Sequence, residues 1–188
     1  MKNMTQMAPE RFINFQADIE DITAHRLVKL CTDAYRDALS KITILINSRG
    51  GGVPQGLALY NFIRGLPIEV EVHNIGMVDS IANAVYLAAD KRYSVPSARF
   101  LLHGVTISGQ ALTEENLVRG LKTVRRDNEL VATTIAGRTK YTVEELKELF
   151  KGEHVLSAEE AKEKGIVHEI KELQLPTDAE VFDILDLH

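Results

Sequence analysis

Three places in this 188-residue chain combine residue types and spacing that could carry out a reaction. The first is the run Gly50-Gly51-Gly52. It follows a stretch that reads as a buried strand and precedes Pro54, a residue suited to a helix's first turn. Glycines there let the backbone take unusual dihedrals and leave amide N–H groups free to face an anion. No Gly-Lys-Ser/Thr follows, so it is not a phosphate loop, and the third glycine is misplaced for a dinucleotide fingerprint. Taken alone, the run reads first as a tight turn that needed glycine. The second place is Gly76 to Ala84, where Ser80 sits between a strand and a small, apolar helix. A serine there can stand exposed at the carboxyl end of a sheet, or Ser80 or Asp79 can simply cap the helix. The third is His103, ending the apolar run Phe100 to Leu102. It reads either as a satisfied core residue or, within reach of Ser80, as a base that takes the hydroxyl proton and returns it to a leaving group. The other histidines, at 25, 73, 154, 168 and 188, show no such setting.

The elements that must position these residues alternate. Arg11 to Phe15 reads as a short strand. Residues 22–36 place Ala24, Leu27, Val28, Cys31, Ala34 and Tyr35 on one helical face. Ile42 to Ile46 is a buried strand, and the helix opened by Pro54 is closed by Gly65 and Pro67. Ile68 to Ile75 alternates as a strand, and Ser80 to Ala89 reads as a helix. Tyr93–Val95 and Phe100–His103 are further strands. A long helix over 113–136 starts at Thr113, with Glu114 and Glu115 in its first turn, and ends at Gly137. Thr142 with Glu145, and Ser157 with Glu160, are capping-box spacings that open two short helices. From Lys171 the chain is acidic and loop-like. Such alternation implies an α/β fold with a largely parallel sheet.

Composition narrows the function. With 45% hydrophobic residues the chain fills one core and is too short for two comfortable domains. A formal net charge of −5 gives no basic footprint for nucleic acid. The single cysteine, Cys31, makes no internal disulfide, which fits a reducing cytosol. Met1 to Pro9 lacks the apolar run of a signal peptide, and no apolar stretch is long enough to span a membrane. A cytoplasmic protein is expected, and no pattern asks for a metal or cofactor.

Taken singly these signals are weak, but their order resembles the Clp protease proteolytic subunit family. Ile46-Asn47-Ser48-Arg49-Gly50-Gly51-Gly52-Val53 resembles that family's Ile-Asn-Ser-Pro-Gly-Gly-Ser-Val stretch. Gly76 to Ala84 resembles its nucleophile motif, with Ser80 on the serine. Val95-Pro96-Ser97-Ala98-Arg99 through His103 is similar to its Leu-Pro-Asn-Ser-Arg-x-x-x-His segment, with His103 on the histidine. Leu156-Ser157-Ala158-x-Glu160-Ala161 and Gly165-Ile166-Val167 match its close. The resemblance covers about Arg11 to Ile170. It sets an 11–170 domain between a short N-terminal segment (1–10) and an acidic C-terminal tail (171–188).

The resemblance implies a crotonase-like fold of repeated ββα units, with the helix near 113–136 as a protruding handle that joins rings face to face. It also implies a homo-oligomeric ring in which peptides or unfolded proteins are hydrolysed. Ser80 would be the nucleophile and His103 its base, with the N–H groups of Gly51 and Ile81 holding the oxyanion. Glu153 falls on the family's catalytic aspartate, one methylene longer. Asp79 replaces a small apolar residue beside the nucleophile, where it could alter the pocket or the base, and Arg49 replaces a proline. The sequence before Arg11 is short for the family's N-terminal helix and axial loop, which argues against an unfolding ATPase as partner. Two other functions fit parts of the pattern: an acyl-CoA enzyme of the crotonase superfamily, and a non-catalytic homologue that only builds a ring.

Overall fold

A computed structural model describes residues 10–107, 109 and 113–186. In chain order the elements are β1 (Glu10–Phe15), α1 (Asp21–Arg36), β2 (Lys41–Ser48), α2 (Val53–Arg64), β3 (Glu69–Asp79), α3 (Ala82–Ala88) and β4 (Lys91–Ser94). They continue with β5 (Arg99–His103), α4 (Glu114–Ala136), α5 (Val143–Leu149), β6 (Glu153–Ser157), α6 (Ala158–Glu163), β7 (Glu169–Ile170) and β8 (Val181–Asp183). The sheet runs β6-β5-β3-β2-β1-β8, with β4 joining β3 to β7. Its pairings are parallel except for β5 with β6. This is the α/β architecture that strand–helix alternation predicts.

β2 and β3 are central strands, and β2's run Ile42 to Ile46 and β3's Val70, Val72 and Val78 are buried accordingly. Strand β3 changes partner along its length. Glu71–Asn74 pair with β4, whereas Met77–Asp79 pair with β5. A register shift between Ile46 and Ser48 accompanies the change, and Asn47 Oδ1 accepts the Met77 N–H at 3.1 Å. The fork ends β3 beside β5 and so brings Ser80 toward the strand that carries His103. Every residue of α3 is buried, its alanines as well as Tyr86 and Leu87.

The capping boxes form as the spacing predicts, at Thr142 with Glu145 and at Ser157 with Glu160. Thr113 caps α4, accepting the Asn116 N–H at 3.2 Å. Buried α4 residues are concentrated toward its C-terminal end, at Val131, Ala132 and Ile135, while Leu117, Val118 and Leu121 nearer its start are exposed. None of the helices among the described residues is long and apolar enough to cross a membrane.

Three expectations change. The strand expected to end at Ile75 runs on to Asp79, and the helix expected from Ser80 starts at Ala82. The stretch after Lys171, read as loop-like, adds β8 to the sheet edge in parallel with β1. Asn14 O accepts the Ile184 N–H at 3.0 Å, Arg26 donates to the Ile184 carbonyl at 3.1 Å, and Ile184 is fully buried. Three residues carry too little periodicity to announce a strand; pairing with the β1 edge makes one.

Candidate active site

Ser80 lies in the turn between β3 and α3 with φ 58°, a left-handed conformation that is uncommon outside glycine. Its backbone is held on both sides. The Ser80 N–H donates to Leu101 O on β5 at 2.8 Å. Asn83 Nδ2 donates to Ser80 O at 3.0 Å, to Leu101 O at 2.9 Å and to Val78 O at 3.2 Å. Ser80 does not cap α3, because Ile81 takes the cap position and no side chain bonds there. Asp79 does not cap it either. Its buried carboxylate pairs with Arg99 of β5 at 2.8 Å and is not among the groups lining the cleft around Ser80. Asp79 therefore does not line the cleft directly.

The glycine loop packs against this turn. Gly50 has φ 91°, and a Cβ there would come within 2.7 Å of both Asp79 O and Ser80 Cβ. Gly51 has φ 145°, and its Cβ would come within 2.3 Å of Ile19 O. The loop is fixed by Ile19, whose N–H donates to Gly50 O at 2.7 Å and whose carbonyl accepts the Gly52 N–H at 2.8 Å. Arg49 holds the same loop by a two-pronged pair with Asp18 (3.0 and 2.7 Å). This bonding passes over two donors. Among the described residues, neither the Gly51 N–H nor the Ile81 N–H has an acceptor.

His103 ends β5. Its Nδ1 lies 2.7 Å from Gly104 O. A carbonyl can only accept, so this bond puts the proton on Nδ1 and leaves Nε2 of the neutral ring as the basic nitrogen. Gly51, Ser80, Ile81 and His103 line one cleft of about 50 Å³, closed by Val53, Val105, Thr106 and Val131. Among the described residues no hydrogen bond joins Ser80 Oγ to His103. Glu153 pairs directly across from His103 in the antiparallel β5–β6 register, which puts both side chains on one face. It is exposed and makes neither a hydrogen bond nor an ion pair with His103.

The remaining titratable groups lie elsewhere. Burial lowers the pKa of His73, whose Nε2 is 3.1 Å from Lys171 O. Burial pushes the Cys31 thiol up to about 12, which makes it inert as a nucleophile. Asn83 is the site residue that sequence reasoning missed. Its signal was present, as the one polar side chain besides a tyrosine in the helix Ala82–Ala88. A serine, a histidine and two unpartnered N–H donors around one cleft are residue types that acyl transfer through a covalent intermediate uses.

The Clp protease family model matches residues 1–174. The ATP-dependent Clp protease proteolytic subunit 1 of Thermobifida fusca is 30% identical over 177 residues, covering 90% of this chain and 78% of that protein. Proteolytic subunit 2 of Corynebacterium jeikeium is 34% identical over 157 residues, covering 82% and 73% respectively. The solved structure of a ClpP1 mutant from Listeria monocytogenes superposes with a TM-score of 0.79 at 29% identity. The match covers 87% of this chain and 92% of that one.

Proposed function

The chain belongs to the Clp protease family, and from that premise we propose that it is a serine endopeptidase with Ser80 as nucleophile and His103 as general base. The observation that carries this reading is the cleft shared by Ser80, His103 and the unpartnered N–H groups of Gly51 and Ile81. In the proposed reaction Ser80 Oγ attacks the scissile carbonyl carbon while His103 Nε2 takes its proton. The carbonyl oxygen becomes an oxyanion between the Gly51 and Ile81 N–H groups, each such donor contributing about 3–4 kcal/mol. Collapse expels the amine, which leaves with the proton from Nε2, and a water hydrolyses the ester by the same steps in reverse order. The Ser80–His103 hydrogen bond forms when substrate fills the cleft, since catalytic hydrogen bonds are often long or poorly aligned in empty sites.

Glu153 is proposed as the acid of the site, on the strength of its register with His103. Because Gly104 O already accepts from Nδ1, Glu153 acts as a negative charge facing the imidazolium and not as its hydrogen-bond partner. Short unstructured peptides are the proposed substrate class, cut inside a homo-oligomeric ring in the cytoplasm. The names of the relatives describe them as ATP-dependent; cleavage of a short peptide by this site consumes no nucleotide, so any unfolding ATPase would act before it.

Incubation with a serine-directed fluorophosphonate, followed by peptide mapping, tests the reading. Ser80 becomes labelled, and Ser80→Ala loses both the label and peptidase turnover, the latter by about 10⁵- to 10⁶-fold. An unlabelled, inactive wild type would instead identify a homologue that only assembles. Equal turnover in wild type and Ser80→Ala would remove Ser80 from the mechanism.

A further inference from the structure

The structure assigns a positioning role to Asn128 of α4: it fixes the peptide plane whose carbonyl holds the tautomer of His103. The inference rests on His103 being the base. Asn128 Oδ1 accepts the Val105 N–H at 2.7 Å, and Gly104 O lies 2.7 Å from His103 Nδ1. That N–H and that C=O belong to one peptide unit, the link between Gly104 and Val105. A trans peptide is planar and its C=O and N–H point in opposite directions, so fixing one fixes the other. Asn128 pulls on the N–H side, and the carbonyl side is thereby aimed at the imidazole.

The surroundings leave that plane little freedom. A Cβ at Gly104 would lie 2.5 Å from Phe150 O and 3.5 Å from Asn128 Oδ1, so the glycine is pressed between the end of α5 and the side chain from α4. Asn128 stands one turn before Val131, which lines the cleft and is buried in the core. Without an acceptor at position 128, the Val105 N–H turns to seek one and the Gly104 carbonyl turns with it. Nδ1 then loses the partner that keeps its proton, and the proton moves to Nε2 in part of the molecules. A neutral ring protonated on Nε2 cannot take the Ser80 proton.

The test uses the full-length protein with Asn128→Leu, which keeps the volume and removes the acceptor, and Asn128→Asp, which keeps an acceptor oxygen. Expected for Asn128→Leu is a kcat lower by about 10- to 100-fold, the cost of losing an outer-shell partner at metal-bound histidines, with KM within twofold. Asn128→Asp should restore kcat to within about threefold of wild type, the rescue that an acceptor role requires. Nitrogen-15 NMR of labelled histidine provides a reading independent of turnover. The His103 signal shows the Nδ1–H tautomer in wild type and Asn128→Asp, and a mixture in Asn128→Leu. If Asn128→Leu proves insoluble, Asn128→Ala takes its place under the same readings. An unchanged kcat in the acceptor-free variant, an equal loss in Asn128→Asp, or an unchanged His103 tautomer overturns the inference. Ser80→Ala, measured alongside, isolates the premise: if it keeps wild-type turnover, the peptidase reading fails whatever the tautomer does.

Discussion

Ser80 holds a left-handed φ of 58°, which costs a residue with a Cβ about 1–2 kcal/mol. Such strain persists only where the surroundings over-determine it. Asn83 supplies that restraint, with its amide nitrogen shared among three carbonyls and no solvent access. The sequence could not reveal the strain, because a serine before a small helix is equally a cap signal. What favoured the proposed nucleophile over a cap in the sequence was the order of motifs along the chain, not Ser80 itself. Glu153 shows the reverse situation, since its register facing His103 follows from β6 while its role does not. An acid hydrogen-bonded to Nδ1 is worth on the order of 10⁴ in turnover. With Gly104 O in that place, Glu153→Gln should cost less than about tenfold, in keeping with the small effect of exposed charges. Initial rates on a short fluorogenic peptide decide it. A loss near 10⁴ would mean that the carboxylate displaces the carbonyl from Nδ1 in the working enzyme.

Elements with their own local signals, the apolar strands β1, β2 and β5 among them, were legible, and elements defined by pairing alone were not. The long helix α4 and the boxes at Thr142 and Ser157 follow from side chains within four residues of one another. Strands β6 and β8 exist because β5 and β1 offer them edges, and five or three residues do not announce that. The extension of β3 to Asp79 was hidden likewise, because its last residues trade β4 for β5. The glycine loop left two readings open, and its geometry argues against a mere turn. At Gly50 the positive φ and the 2.7 Å approach to Ser80 Cβ coincide, so the loop and the Ser80 turn are one packed unit. Gly50→Ala should therefore lower stability by at least about 2 kcal/mol, combining left-handed strain and overpacking of roughly 1–3 kcal/mol each. It should also depress kcat, because Ser80 and the Gly51 N–H shift together. Gly152→Ala is the control, since a Cβ there meets nothing within 4 Å and its effect should stay within about 0.5 kcal/mol. Thermal melts of both variants beside wild type, with turnover on the same samples, check the contrast. Equal melting temperatures for the two would show that the loop yields freely.

At the scale of the whole molecule, α4 is the element that the single chain leaves least covered. Leu117 is 59% exposed, Leu121 51% and Val118 49%, and they follow one another along the half of the helix that stands off the core. Single exposed leucines are ordinary on a soluble protein, but a contiguous apolar stripe on one helix calls for cover. The cleft lies at the other end of the same helix, where Val131 lines it. Covering the stripe therefore leaves the site unobstructed. Fully burying a Leu or Val side chain contributes about 1.5–3 kcal/mol. Three of them in an interface between identical chains would supply several kcal/mol toward association, before the cost of immobilisation. The protein should accordingly sediment at micromolar concentration as a multiple of its 21.0 kDa chain mass. Leu117→Glu combined with Leu121→Glu should dissociate it while leaving the circular dichroism spectrum unchanged, because neither side chain belongs to the core. A wild type that sediments as a single chain would remove the basis for a ring. A double variant that stays assembled would move the contact to another face, and the stripe on α4 would then need a different partner.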